Sequence, residues 1–219
     1  MSENLVNIII NGATAVGVNL DQKMIKMLLT YLSELKAWNQ KVNLTSLKDD
    51  KSIIISHFID SLSLIPHLPT SGCLLDLGSG AGFPGLPIKI ARPELNITLL
   101  ESKRKKVSFL KHVISILKLS NIITFHGRAE HFIAEQKMFD PFEIITARAV
   151  AKLDRLLIMS QPLLKTGGHL VAMKGKEGET ELKASNEILK ALSLEVIKTV
   201  KIKLPDTHKK RYLFFIMKR

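Results

Sequence analysis

Residues 74–87 read Leu-Leu-Asp-Leu-Gly-Ser-Gly-Ala-Gly-Phe-Pro-Gly-Leu-Pro. A short apolar run ends at Asp76, and Gly78, Gly80, Gly82 and Gly85 follow within eight residues. Strand, tight turn and helix start is the natural reading. Glycine lets the backbone turn with positive φ and lets a ligand come close to it. The helix that follows points unpaired N–H groups into the turn. Pro84 and Pro87 fit its first turn, where a missing N–H would be unpaired anyway. The stretch reads as a nucleotide-type cofactor site.

Working outward, the chain after Pro69 alternates between strand and helix patterns. Strands are expected at Cys73–Leu77, Ile97–Leu100, Asn121–Phe125, Phe142–Thr146 and His169–Met173. Between them come helices at Pro84–Arg92, Lys103–Leu117, after Glu130, and at Leu153–Leu164, the last stopped by Gly167-Gly168. A helical stretch from Gly178 to Leu192 leads to two further strands, Leu194–Ile202 and Tyr212–Met217. Their short link, Pro205-Asp206-Thr207, argues for an antiparallel pair. This predicts an α/β fold, a doubly wound, mostly parallel seven-stranded sheet of Rossmann-like type with an antiparallel last strand. Such sheets bind ligands at the carboxyl ends of the central strands.

Upstream, three helices are expected, at 2–16, Asp21–Trp38 and Asp49–Leu64. Ile25, Leu28, Leu29, Leu32 and Leu35 make one apolar face, and Asp21 fits an N-cap. The expected organisation is a helical cap over residues 1–66 and a cofactor-binding domain over 67–219.

The composition, 46% hydrophobic and 24% charged, suits a globular chain with a real core. One cysteine, Cys73, allows no intrachain disulfide and fits a reducing compartment. Met1-Ser2-Glu3-Asn4 lacks the basic start of a signal peptide, so a soluble, cytoplasmic protein is expected, away from membranes and as a monomer. The net charge of +12 is unevenly placed. Residues 1–66 balance six lysines against six acids. Lys103–His112 holds five basic residues and no acid, and Lys198–Arg219 holds eight against Asp206 alone, which together carry the whole surplus. Clustered cations favour a polyanion, because neutralising phosphates releases counterions.

Two cofactor patterns overlap in the glycine stretch. Gly80, Gly82 and Gly85 satisfy the dinucleotide GxGxxG. Asp76, Gly78, Gly80 and Gly82 satisfy DxGxGxG, a signature of S-adenosylmethionine (AdoMet) methyltransferases of class I. A carboxylate beside the turn would repel a pyrophosphate and suits the cationic groups of AdoMet. Glu101 ends the second strand nineteen residues beyond Gly82, where an acid can accept both ribose hydroxyls. Gly127-Arg128-Ala129-Glu130 follows the third strand and could reach an adenine edge. Arg148, in Thr146-Ala147-Arg148-Ala149, faces the cleft at the end of the fourth.

The acceptor is narrowed by what is missing. No Asn/Asp-Pro-Pro-aromatic motif follows the fourth strand, so amino-directed base methylation is not supported. Cys73 begins a strand at the wrong end for a nucleophile and reads as a small core residue. The seven histidines lack metal-ligand spacing, so no metal is expected, and His57 reads as an isolated cap residue. A site without a general base suits an acceptor with a free lone pair and no proton to lose, as at guanine N7. A small molecule or protein acceptor, or a non-catalytic RNA-binding module, remain the alternatives.

The stretches LLDLGSGAGFPGLPIKI, TLLES, GRAEHF and ITARAV, with WNQKVNLT at 38–45 and HFIDSL at 57–62, together resemble the RsmG (GidB) family over nearly the whole chain. The resemblance implies a bacterial methyltransferase acting on N7 of a guanosine in the 530 loop of 16S rRNA, with the small ribosomal subunit or its rRNA as partner. It implies cofactor contacts at Gly78, Phe83, Ala129, Glu130 and Arg148, beside Asp76, Gly80, Gly82 and Glu101 from the motif reading. Lys103, Arg104, Lys105, Lys106, Lys209, Lys210 and Arg211 are the expected phosphate contacts.

Overall fold

The computed structural model describes residues 3–134, 141–207 and 210–219. Helix α1 (Glu3–Ala15) precedes α2 (Gln22–Asn39), whose first turn is capped by Asp21: Oδ1 accepts from the Met24 N–H at 2.7 Å. The five apolar residues expected on one face of α2 are all buried. Helix α3 (Asp50–Ile53) is capped by Asp49 and runs on through a π-helical turn, Ile54–Ile59, into α4 (Asp60–Leu62). The expected helix is there, but its middle is wound more widely than an α-helix, a feature often found at functional sites.

Strands β1 (Gly72–Leu77), β2 (Leu95–Glu101), β3 (Ile122–His126), β4 (Phe142–Arg148) and β5 (Leu164–Lys174) are parallel. Strands β6 (Leu194–Lys203) and β7 (Lys210–Lys218) form an antiparallel pair, and β7 inserts beside β5. The order is β3-β2-β1-β4-β5-β7-β6; the alternating pattern and the closing hairpin predict the parallel strands and the antiparallel last one. The order reverses at β1, between β2 and β4. Among the described residues six helices lie between the parallel strands and β6: α5 (Gly85–Ala91), α6 (Arg104–Ile116), α7 (Ala129–Ala134), α8 (Leu153–Ser160) and the pair α9 (Gly178–Ala184) and α10 (Asn186–Ala191), broken at Ser185.

Two sequence expectations need correction. Helix α8 ends at Ser160, before a 3-10 turn carrying Pro162, not at Gly167-Gly168. Those glycines lie inside β5, where a side chain on Gly168 would meet the carbonyls of Phe142, Glu143 and Lys165 at 2.9 Å. Cys73 is exposed at the amino end of β1, not a core residue. Asp140, in the expected turn before β4, lies outside the described residues.

Alternation along the strands divides the core into two layers. On β1, Leu74 faces one layer and Leu75 and Leu77 the other; on β7, Leu213 and Phe215 oppose Tyr212, Phe214 and Ile216. Helices α7, α8 and α10 cover the second layer. The first continues without a break from α5 and α6 into the helices of the cap. Its centre is Tyr31 of α2, wholly buried, its ring 5.1 Å from Phe58 and 5.4 Å from Phe83. The Tyr31 hydroxyl donates to the Ala81 carbonyl in the glycine stretch, so the cap holds the turn directly. Tyr31→Phe leaves that buried carbonyl without its donor and should cost roughly 1–3 kcal/mol in urea unfolding. Unchanged stability would mean that the carbonyl is satisfied otherwise.

Candidate functional site

Two acids fix the turn from below. Asp76 ends β1 and is wholly buried; its Oδ2 accepts from the Gly85 N–H at 2.9 Å, at the start of α5, and the Thr146 hydroxyl lies 3.5 Å from Oδ1. Burial pushes its carboxyl up to about 7, against the hydrogen bonds that favour the ionised form. Glu101 ends β2; its Oε2 accepts from the Gly80 N–H at 2.8 Å and its Oε1 from the Lys103 N–H at 2.7 Å. The Ser102 hydroxyl also donates to Oε1 at 3.4 Å, so Oε2 is the oxygen with a second lone pair to offer. Asp76 is directed beneath the turn and lines neither cavity described below.

The glycines serve different ends. Gly78 has φ of 71° and lines a cavity; a Cβ there would lie 2.8 Å from Val150. Gly82 has φ of 98° and no room for a side chain between Leu86 and the Tyr31 hydroxyl, so it serves packing rather than ligand approach. Gly80 gives its N–H to Glu101. Phe83 is buried, stacked on His57 at 4.7 Å.

Two cavities open at the carboxyl ends of the strands. The first, of about 330 Å³, spans the ends of β1, β2 and β3 and the start of α7. Gly78, Gly127, Ala129 and Glu130 line it, with Leu77, Leu100, Val150 and Met159 as apolar walls. The second, of about 440 Å³, lies at the ends of β4 and β5 under the π-helical turn. Ser56, His57, Asp60, Arg148, Lys174 and Arg211 are among its lining. Ala151 lines both. Of the nine expected cofactor residues, Gly78, Ala129 and Glu130 border the first cavity and Arg148 the second, while Asp76, Gly80, Gly82, Phe83 and Glu101 line neither.

Arg148 joins sheet to cap. One Nη1 donates to Asp60 Oδ2 and to the Ser56 carbonyl, each at 3.1 Å, and the guanidinium lies 5.0 Å from the centre of the Phe83 ring. Arg211, at the start of β7, donates from Nε to Asp60 Oδ1 at 3.2 Å. Asp60 is 1% exposed and sits between two arginines from different strands. Below them Lys174 donates to Glu181 at 2.8 Å and to the Ala151 carbonyl at 2.7 Å.

The basic residues fall on the same rim. Lys103, Arg104 and Lys105 are exposed and Lys106 half-buried at the start of α6, whose first turn has no acid. Cations there oppose the helix dipole, so the first turn is built for something other than helix stability. Lys210 is exposed, whereas Arg211 is turned into the second cavity; Lys209 lies outside the described residues. At this rim the end of β2 and the start of β7 are four strand spacings apart, about 19 Å. Among the described residues no group of His, Cys, Asp or Glu is placed to hold a metal ion, and no helix is long and apolar enough to cross a membrane.

Residues 24–211 match the family model described as rRNA small subunit methyltransferase G, also labelled GidB. A ribosomal RNA small subunit methyltransferase G from Acetivibrio thermocellus is 42% identical over 98% of this chain and 88% of its own length. That from Caldanaerobacter subterraneus is 36% identical over 100% of this chain and 92% of its own. The chain belongs to the rRNA small subunit methyltransferase G family. Solved structures carry the same fold at much lower identity. An O-methyltransferase from Bacillus cereus in complex with SAH gives a TM-score of 0.61 at 12% identity, over 92% of this chain and 93% of that one. A precorrin-6y methyltransferase from Geobacter metallireducens gives 0.55 at 15%, over 74% and 87%. The sheet is that of the class I methyltransferases, and the activity of the family is methylation of small-subunit rRNA.

Sequence reasoning missed the contribution of the cap. His57 is no isolated residue: it stacks on Phe83, and its Nδ1 lies 3.2 Å from Arg148. Asp60, Lys174 and Glu181 were not singled out either. One signal was present, a lone acid at position 60 in the apolar run Ile53–Ile65.

Asp76 makes stability depend on pH. Between its unfolded value near 3.8 and its folded value of about 7, the folded chain holds the proton more tightly, so the wild type loses stability as pH rises through that window. Asp76→Asn has no such slope. The stability of wild type relative to this variant should therefore fall by a few kcal/mol between about pH 4.5 and about pH 7.5, read by urea titration. A difference independent of pH would mean that Asp76 titrates as an exposed carboxylate does.

Proposed function

We propose that the protein methylates N7 of a guanosine in the 530 loop of 16S rRNA, using S-adenosyl-L-methionine. The observation that carries the reading is the pair of cavities meeting at Ala151, at the point where the strand order reverses. One cavity suits a cofactor and its neighbour an acceptor.

The first cavity fits the cofactor chemically. The absent side chain at Gly78 leaves a cradle that a Cβ would fill. The aliphatic side chains of Leu77, Leu100, Val150 and Met159 beside the polar edge at Gly127–Glu130 suit an adenine ring. Glu130 would accept from the base and Glu101 from a ribose hydroxyl through the lone pair that the turn leaves over on Oε2. When bound, the cofactor supplies a methyl group on a cationic sulfur. Asp76 then acts at one remove, by holding the start of α5 and the turn above it.

Guanine N7 has a free lone pair and no proton, so no general base is required, and the protein's work reduces to alignment and electrostatics. The second cavity matches that demand: its lining is rich in fixed charge and hydrogen-bonding groups. Lys103, Arg104, Lys105 and Lys106 on one side, with Lys209 and Lys210 on the other, would hold the phosphates of the flanking RNA. Residues 1–66 act as the cap that closes the acceptor side, and 67–219 as the methyltransferase domain.

Small subunits from a strain lacking the modification, incubated with labelled AdoMet and this protein, should gain label in 16S rRNA and become sensitive to N7-specific strand cleavage in the 530 loop. Label that stays out of the rRNA, or that resists this cleavage, overturns the reading. In the double variant Lys103→Ala, Lys105→Ala, affinity for rRNA should depend less steeply on salt, by about one unit of log–log slope for each lost phosphate contact. An identical slope removes the start of α6 from the RNA interface.

A further inference from the structure

We propose that Asp60, supplied by the cap, recognises the acceptor guanine by its Watson–Crick edge; the inference rests on the N7 reading above. The argument begins with what N7 methylation forbids. Arginine usually reads guanine by a bidentate contact to O6 and N7. Here N7 must keep its lone pair for the methyl group, so a guanidinium on that edge would block the reaction. The base has to be identified from its other side, where guanine presents two parallel donors, N1–H and N2–H. Only an acceptor pair reads that edge, and a carboxylate is the side chain that supplies one.

The second cavity holds two carboxylates. Glu181 offers Oε2 to Lys174 and to the Leu153 N–H, both at 2.8 Å, which ties it to the floor of the site at the start of α8. Asp60 is held differently. Arg148 engages Oδ2 and Arg211 engages Oδ1, one contact to each oxygen, so each retains a lone pair for a second donor. The two arginines come from different strands and fix the plane of the carboxylate, which is the preorganisation a specificity contact requires. They also pair a carboxylate that lies deep in the protein, where an unpaired charge would be costly. The π-helical turn just before Asp60 brings Ser56 and His57 to the same wall.

The arrangement also selects. Adenine offers a lone pair at N1, which a carboxylate repels. Inosine keeps N7 and N1–H but lacks the N2 amino group, so it isolates the contact proposed here.

The test is a cycle of protein and base changes. Small subunits are reconstituted with 16S rRNA carrying guanosine or inosine at the target position. Binding is measured without AdoMet, and methylation with it. Wild type should favour guanosine over inosine roughly tenfold to a hundredfold. In Asp60→Ala and Asp60→Asn the ratio should fall to about one, mainly by loss on guanosine. The ratio is internal to each preparation, so partly inactive protein does not affect it, and the isosteric Asn variant decides if the Ala variant does not fold. Both ratios staying at the wild-type value overturns the proposal. So does a wild type that treats the two bases alike. If label on guanosine subunits enters an atom other than N7, the reading of the reaction fails instead, which the cleavage assay reports separately.

Discussion

The glycine turn is held open by two carboxylates from neighbouring strands. A tight turn exposes N–H groups that no strand or helix satisfies, and buried donors without partners are costly. Asp76 takes the N–H of Gly85 and Glu101 that of Gly80, so the turn is clamped while Gly78 still lines the first cavity. Ionising Asp76 in a wholly buried place is costly, as its raised pKa records. Tyr31 adds a third tie from above, at Ala81. The shape offered to a ligand is thereby set before any ligand arrives.

The cap is part of the site rather than a lid laid over it. Its apolar side chains share one buried layer with α5, α6 and the sheet, and its charges reach across to strand ends. Asp60 ties β4 and β7 together through Arg148 and Arg211, strands that run in opposite directions with β5 between them. The antiparallel insertion of β7 explains how a residue near the end of the chain arrives at the same rim as the first strand's glycines. A fully parallel strand there would deliver its last residues to that rim instead.

The fold was legible because its cues are local. Alternation, turn residues and the closing hairpin announced seven strands and the antiparallel last one. Boundaries failed where glycine had two uses: Gly168 serves close backbone approach inside β5, not the end of α8. The residues proposed for the cofactor lie at or just beyond the ends of strands β1 to β4, so spacing along the chain could single them out. Those proposed for the acceptor could not be found that way. His57, Asp60, Lys174 and Arg211 are separated by up to about 150 positions and meet only in the folded chain, so no spacing rule connects them. Arg211 was found as a cation but expected on phosphate, because charge alone does not reveal a partner buried in the cap.

The π-helical turn has a consequence for how the chain tolerates change. A helix advances by about 100° per residue. One residue more or fewer within Ile54–Ile59 would leave a helix of the same composition and nearly the same length. Everything after it would rotate by that angle, and Asp60 would face the apolar layer while Ile59 or Ser61 faced the arginines. The helix therefore carries a phase, and this phase, rather than any single side chain, keeps cap and strands in step.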